Sequence, residues 1–187
     1  MKVLGISGSL RQGSHNTALL RAAQRLAPEG SRLELYDELE LIPPYNEDRD
    51  GDAAPAAATR LRELVAGADA VLFATPEYNG STPGQLKNAL DWLSRPRGDA
   101  AIFGKTAAVI GATTGAYGGV WAQADLRKSL RSAGAHVADD ELPVGGAEEA
   151  FTPDGGLHDK QLQERLAAVV DDLVREASSP VERAQAA

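Results

Sequence analysis

The sequence predicts an α/β domain built on a doubly wound, five-stranded parallel sheet with helices on both faces. Short apolar segments of strand length alternate with longer segments whose apolar residues recur at helical spacing. Several strand segments run into glycine, serine or threonine, as buried parallel strands do where they enter loops. The 187 residues suffice for one substantial core but are too few for two domains of ordinary size.

The predicted elements alternate in the way that right-handed βαβ crossovers require. Strands are predicted over 2–6, 32–36, 69–74, 106–111 and 135–142. Helices are predicted over 16–26, 55–66, 86–93, 122–133 and 160–177. The segment 41–54, with paired prolines and many acidic residues, is predicted to be a polar surface loop. We therefore expect one domain over 1–177 and a flexible tail over 178–187.

The loops after the first, third and fourth strands are the most unusual stretches of the chain. In the flavodoxin-like strand order 2-1-3-4-5, the ligand crevice lies at the carboxyl ends of the strands, where the strand order reverses between strands one and three. Three loops of unusual composition are thus expected to meet at one edge of the sheet.

The first loop reads Ser7-Gly8-Ser9-Leu10-Arg11-Gln12-Gly13-Ser14-His15-Asn16 and leads directly into a helix. Its hydroxyls, its guanidinium and its backbone N–H groups at the positive end of a helix dipole suit a phosphate monoester. We expect Ser9 and Ser14 to donate hydrogen bonds, Arg11 to supply charge and Asn16 to donate while helping to cap the helix. The simpler alternative is that Ser14 or Asn16 is only a helix N-cap.

The second and third loops suit a planar heterocycle. In the second loop, over 75–84, Tyr78 offers an aromatic ring, Asn79 an amide and Gly80 an exposed backbone. The third loop, over 111–119, combines glycines with the hydroxyls of Thr113 and Thr114. The alternatives are a tight turn with Tyr78 packed into the core, and an ordinary glycine-rich turn.

Several function classes are disfavoured by specific residues. The chain has no cysteine, which excludes disulfides, thiolate metal sites and a thiol phosphatase. Gly8 and Gly13 have Walker A spacing, but Ser14 and His15 replace the required Lys and Ser/Thr. No G-x-S-x-G elbow is present, and the three histidines are scattered, so we expect neither a hydrolase of that type nor a metal site. The net charge of −8 disfavours nucleic acid and anionic membranes as partners, and we expect a cytoplasmic protein.

Lys87 and Asp91 lie four residues apart on the third predicted helix, beside Trp92. The simpler interpretation is an exposed ion pair. The alternative is that this helix, which follows the heterocycle loop, faces a second subunit.

These motifs resemble the NADPH-dependent FMN reductase family, which includes quinone, azo-dye and chromate reductases. The resemblance rests on Gly8-Ser9-Leu10-Arg11 with Ser14 and Asn16, and on Pro76-Glu77-Tyr78-Asn79-Gly80 followed by Leu86-Lys87-Asn88-Ala89-Leu90-Asp91-Trp92. It continues through Thr113-x-Gly115-x-x-Gly118-Gly119, Gln123 and the segment 151–157. Two positions depart from the family pattern: Thr113 stands where many relatives have serine, and Trp121 where many have arginine.

The resemblance implies a non-covalently held FMN as cofactor. It implies that the phosphate and the isoalloxazine ring are contacted by Ser9, Arg11, Ser14, His15, Asn16, Pro76, Glu77, Tyr78, Asn79, Gly80, Thr113, Thr114 and Gly115. It also implies a homodimer, sometimes a tetramer, with Lys87 and Asp91 of the third helix at the interface. No protein side chain is expected to act as a catalytic residue, because flavin N5 carries the hydride transfer.

The resulting hypothesis is an FMN-dependent NAD(P)H oxidoreductase. NADPH or NADH would be the reductant, and a quinone-like, azo or similar small molecule the acceptor. The first alternative is a non-enzymatic FMN-binding electron carrier or flavin sensor. The second is a domain that binds a phosphate ester without flavin.

Overall fold

The strands of the computed structural model, which describes residues 1–179, form one parallel five-stranded sheet in the order β2-β1-β3-β4-β5. In chain order they are β1 (Lys2–Ser7), β2 (Arg32–Tyr36), β3 (Ala70–Ala74), β4 (Thr106–Ala112) and β5 (His136–Val144). The predicted flavodoxin-like order is confirmed. Strands β1, β3 and β4 are consecutive neighbours, so the loops that follow them emerge side by side.

Five helices connect and cover the sheet. They are α1 (His15–Arg25), α2 (Ala56–Ala66), α3 (Gly84–Leu93), α4 (Val120–Ser132) and α5 (Lys160–Ser178). None of the helices within residues 1–179 combines the length and apolar character that a membrane crossing needs. The predicted tail over 178–187 falls almost entirely outside the described residues; α5 itself extends through Ser178.

Alternate residues of the strands face two separate apolar cores. One face of the sheet packs with buried side chains of α2, α3 and α4, and it includes Leu4, Ile6, Val71 and Phe73. The strand residues on the opposite face, such as Leu72, pack with α1 and α5. Every residue of β3 and β4 is buried, because helices cover both faces of the sheet. This packing fixes the carboxyl ends of the central strands.

Two sequence expectations need correction. Segment 41–54 is not simply a polar surface loop: Ile42 is buried, and the Pro43 carbonyl accepts hydrogen bonds from Trp92 Nε1 and Asn88 Nδ2, each at 2.9 Å. Strand β5 runs through Val144 rather than ending at Leu142, with a register shift opposite Ala107 to Val109. Its run of acidic residues hides the apolar alternation that would have shown its length.

Candidate active site

A cleft of about 160 Å³ lies where the loops after β1, β3 and β4 meet. It is lined by Ser9, Arg11, Ser14, His15, Asn16, Pro76, Glu77, Tyr78, Ala112, Thr113 and Thr114. Ten of the thirteen residues predicted from the sequence to contact a cofactor are in this set; Asn79, Gly80 and Gly115 lie outside it, and Ala112 was not predicted. The strand order brings these distant segments together.

The first loop ends in a capped helix whose N-terminus faces the cleft. Ser14 is the N-cap of α1, and its Oγ accepts a hydrogen bond from Thr17 N–H at 3.2 Å. Ser14 therefore caps the helix as an acceptor, which leaves its hydroxyl hydrogen for the donation predicted from the sequence. Capping by Asn16 is wrong, because the Asn16 side chain bonds to Ala112 instead. The backbone N–H groups of His15 and Asn16 belong to the first turn and have no acceptor within the helix. They are available, with the helix dipole, for an anion.

Arg11 supplies the positive charge at this loop. Its side chain is exposed and forms no ion pair with any residue that the structure describes. The backbone beneath it is held by local bonds, since Arg11 N–H donates to Ser9 Oγ and Ser9 N–H donates to Ser7 Oγ, each at 3.4 Å. The guanidinium is thus a free cation on a structured turn, which suits a phosphate.

Asn16 holds the first loop against the end of β4. Its Nδ2 donates to the Ala112 carbonyl and its Oδ1 accepts from the Ala112 N–H, both at 2.9 Å, with the side chain buried. The Asn16 side chain therefore satisfies the backbone of Ala112 on its β3 side, because the pairing of β3 with β4 ends at Ala74 and Ile110. It positions the loop, and its backbone N–H is a first-turn group that has no acceptor within the helix.

His15 lies at the side of the cleft toward the segment that precedes α5. Its ring stacks on Phe151 with a centroid separation of 6.2 Å and an interplanar angle of 5°. The Phe151 ring therefore borders the imidazole on one face, beside the first turn of α1.

The second loop contains the tight turn that was one of the two alternatives predicted for it. Tyr78 and Ser81 exchange two backbone hydrogen bonds at 3.2 Å, and Asn79 and Gly80 between them have φ angles of +54° and +72°. Two consecutive positive φ angles define a type I′ turn, for which Asn-Gly is the preferred pair. Asn79 and Gly80 therefore form the exposed tip of the hairpin. Tyr78 is 55% exposed, so the core-packing alternative for this ring is wrong.

Two carboxylates fasten the second loop to α4. Glu77 Oε2 accepts from the Ala122 N–H at 3.0 Å, which satisfies an N–H of the first turn of α4. Asp125 Oδ2 accepts from Ser81 Oγ at 2.6 Å and from Thr82 N–H at 3.1 Å. The Ser81 hydroxyl, and then the Thr82 N–H, lower the pKa of Asp125 below its ordinary value. Asp125 was missed by the sequence analysis, because nothing local relates it to residues 44 positions away.

The third loop packs closely on the end of β5. Thr113 N–H donates to the Val144 carbonyl and Ala147 N–H donates to the Thr113 carbonyl, each at 3.0 Å. Gly118 has φ +59°, and a Cβ on it would lie 2.5 Å from Val144 N. The fully buried Gln123 donates from Nε2 to the Gly118 carbonyl at 3.0 Å. Thr113 and Thr114 are thus presented to the cleft from a tightly fixed backbone.

Lys87 and Asp91 lie away from the cleft. They form the predicted exposed ion pair, with Lys87 Nζ 2.6 Å from Asp91 Oδ1. Both line a groove of about 630 Å³ between α3 and α4. This groove is larger than the cleft, but it lies beside the helices rather than at the strand ends where ligands of this fold bind. Trp92, next to the pair, is fully buried and hence is not part of that surface.

The cleft combines an anion-binding turn with a hydroxyl- and aromatic-bordered wall. Within residues 1–179, no three acidic or histidine side chains are grouped so that they could hold a metal ion. A turn with this donor set, at the β1/β3 reversal of a flavodoxin-like sheet, lies where proteins of this fold bind FMN.

Comparison with known proteins agrees with this class. The sequence profile described as NADPH-dependent FMN reductase matches residues 1–149. An NAD(P)H-dependent FMN reductase of Pseudomonas aeruginosa is 47% identical over 167 residues, which cover 89% of each chain. A 2-hydroxy-1,4-benzoquinone reductase of Burkholderia sp. is 43% identical over 127 residues, covering 68% of each chain.

A solved structure shows the same similarity in three dimensions. The flavoenzyme NAD(P)H:(acceptor) oxidoreductase FerB from Paracoccus denitrificans aligns with a TM-score of 0.83 at 37% identity, covering 94% of this chain and 96% of that chain. The chain belongs to the NADPH-dependent FMN reductase family, and the resemblance seen in its motifs is confirmed.

Proposed function

We propose that this chain is an FMN-dependent NAD(P)H oxidoreductase that reduces small quinone-like acceptors. The observation that carries the proposal is the meeting of Arg11, the first turn of α1, Tyr78 and Thr113 around one cleft. The relatives named as FMN reductase and benzoquinone reductase support the same activity.

The residues of the cleft fit FMN. The unpaired Arg11, the Ser9 and Ser14 hydroxyls and the first-turn N–H groups of α1 supply donors and positive charge for a phosphate dianion. The segment 76–78 and the pair Thr113-Thr114 would border the isoalloxazine ring. Asn79, Gly80 and Gly115 would support these two walls from outside the lining. We assign the cofactor to a single domain over 1–177.

When FMN is bound, it supplies the redox chemistry by accepting a hydride at N5 from the nicotinamide and returning two electrons to the acceptor. The protein's part is to bind, orient and leave one side accessible. The three loops are held in position by the side chains of Asn16, Glu77, Asp125 and Gln123. The half-exposed Tyr78 leaves the edge of the cleft open to a second molecule.

We also propose a homodimer, or a tetramer built from it, with α3 at the interface. The proposal is supported by the open, charged groove between α3 and α4, to which Lys87 and Asp91 contribute. We propose a cytoplasmic location as well, because the proposed reductant is a nicotinamide nucleotide.

Anaerobic mixing of the FMN-loaded protein with NADPH, and separately with NADH, tests the activity. We expect rapid bleaching of oxidised flavin at about 450 nm and recovery when a benzoquinone is added. Flavin that binds but does not bleach would identify an electron carrier or sensor instead. Protein that stays colourless after FMN is supplied would leave only a phosphate-ester-binding domain.

A further inference from the structure

Exposed apolar side chains are concentrated at the edge of the sheet that carries the cleft. Six large hydrophobic side chains stand out as exposed in the described part of the chain. Four of them are on the loops after β1, β3 and β4 or on the first turn of α4: Leu10, Tyr78, Tyr117 and Trp121. An apolar cluster of this kind around one edge marks a binding surface.

Tyr117 and Trp121 form a pair within this cluster. Their ring centroids are 5.2 Å apart at an interplanar angle of 62°, an edge-to-face contact. The rings nevertheless remain 68% and 54% exposed. They therefore restrain each other while keeping most of their surface available for a third ring.

The backbone beneath the pair is fixed. Around Tyr117, a Cβ on Gly145 would lie 2.5 Å from the Ala116 carbonyl oxygen, and one on Gly118 would lie 2.5 Å from Val144 N. Beside Trp121, the Ala122 N–H donates to Glu77 Oε2 at 3.0 Å. A rigid aromatic surface loses little conformational entropy when it binds a ligand.

The pair lies next to the cleft wall. Gly119, between Tyr117 and Trp121, is close to both lining loops: a Cβ on it would lie 3.2 Å from Thr113 Cγ2 and 3.6 Å from Glu77 Cβ. Thr113 and Glu77 are lining residues of the cleft. The aromatic pair therefore adjoins the wall that we assign to the flavin ring.

We propose that Tyr117 and Trp121 are specificity-determining residues that bind the electron acceptor, and that they select planar, uncharged aromatic acceptors of the benzoquinone class. The proposal rests on the proposed function and adds the residues that would contact the acceptor and discriminate among acceptors. Indole and phenol rings stack on a planar ring, and neither carries the positive charge that a small oxyanion or the pyrophosphate of a nicotinamide nucleotide would need.

The test uses FMN-loaded protein and separates the two half-reactions by stopped-flow. The variants are Trp121→Ala and Tyr117→Ala, with Trp121→Phe as the conservative change. Leu41→Ala is the matched control, because Leu41 is also exposed but lies next to β2, away from the cleft. Reduction by NADPH or NADH reports the proposed function alone. Reoxidation by a benzoquinone or by ferricyanide, which is anionic and not planar, reports the acceptor site.

We expect the second-order rate constant for reoxidation by benzoquinone to fall about two- to tenfold in each alanine variant. It should recover in Trp121→Phe, while the ferricyanide and reductive rates change less than about twofold. Benzoquinone rates that stay at the wild-type value, or that fall together with ferricyanide rates, would overturn the proposal. So would slower reduction by the nicotinamide, or a change of oligomeric state in sedimentation, because the pair would then serve the reductant or a second copy of the chain. If Trp121→Ala does not fold, Tyr117→Ala and Trp121→Phe decide the question.

Discussion

Asn16 joins two loops that are 96 residues apart in the chain through a pair of buried hydrogen bonds to Ala112. The resemblance assigned this side chain to the cofactor, but the geometry gives its amide to the protein. Because Asn16 joins the first loop to the end of β4, we expect its side chain to affect FMN binding without touching the flavin.

Asn16→Leu should destabilise the protein by about 2–4 kcal/mol, because it leaves the Ala112 N–H and carbonyl buried without partners. Urea unfolding measures the difference. Gln24→Leu is the control: Gln24 also donates to a backbone carbonyl, that of Leu33 at 2.8 Å, but from an exposed position. Equal unfolding midpoints for the Asn16 and Gln24 variants would show that the buried contact with Ala112 contributes no more stability than the hydrogen bond of the exposed Gln24.

Asp125 should make the fastening of the second loop depend on pH. Its folded-state pKa is lowered by Ser81 and Thr82, so its ionised form is favoured in the folded protein. Its stabilisation is therefore present above the ordinary pKa of 3.8 and is lost as the pH falls through the lower folded value.

We expect Asp125→Asn to be about 1 kcal/mol less stable than the wild type at neutral pH, with the gap closing below pH 3.8. Urea unfolding between neutral and acid pH gives the comparison. Asp140→Asn, an exposed change on β5, should cost less than about 0.5 kcal/mol throughout. A difference in unfolding free energy between the wild type and Asp125→Asn that grew toward acid pH would contradict this expectation.

The connection between β4 and α4 has little room for a larger residue at Gly118. Gly118 and Gly146 have nearly the same backbone conformation, with φ +59° and +57°. A Cβ on Gly118 would overlap the backbone of Pro143 and Val144, whereas a Cβ on Gly146 would have no neighbour within 4 Å. Alanine substitutions at the two glycines therefore separate the cost of steric overlap from the cost of a positive φ.

Gly118→Ala should cost about 3 kcal/mol or more and should weaken FMN binding, because the third loop must move away from β5. Gly146→Ala should cost only about 1 kcal/mol, the strain of a positive φ. Thermal unfolding and a flavin titration measure the two effects. If both variants lost the same stability, the close contact with β5 would not constrain the loop.

The regular elements could be predicted from sequence because their signals are local. Buried runs such as 70–74 allow only a central strand, and the apolar periodicity of α5 agrees with its observed bounds to within one residue. The Asn79-Gly80 pair also carries a local hairpin signal, and the tight turn predicted as an alternative for this loop is observed. The contacts of Asp125 with Ser81, and of Trp92 with Pro43, depend on tertiary packing and have no local signature.

At the scale of the whole molecule, the topology assembles the site. Because β1, β3 and β4 are adjacent and parallel, three loops that are far apart in sequence are brought to one edge. The position of the cleft could therefore be predicted from the sequence, whereas the contacts within it could not. The surface that we propose to meet a second copy is harder to predict from the sequence, because an exposed i,i+4 ion pair such as Lys87–Asp91 is equally stable when it faces solvent.

The proposed dimer predicts a charge effect at α3. Lys87→Glu would place two acidic side chains together on the proposed interface of a chain that already carries a net charge of −8. Sedimentation velocity should show a dimer for the wild type and weaker association for the variant, with partial recovery at high salt. Lys160→Glu, on α5, has the same charge change and should leave association unaltered. A monomeric wild type would refute the dimer.

The most direct measurement is a crystal structure of the protein with FMN. We predict that the phosphate lies within about 2.7–3.2 Å of the Arg11 guanidinium and the first-turn N–H groups of α1, with the ring between Tyr78 and Thr113. Flavin bound in the groove between α3 and α4, or a phosphate that does not contact the turn of residues 9–16, would contradict the account.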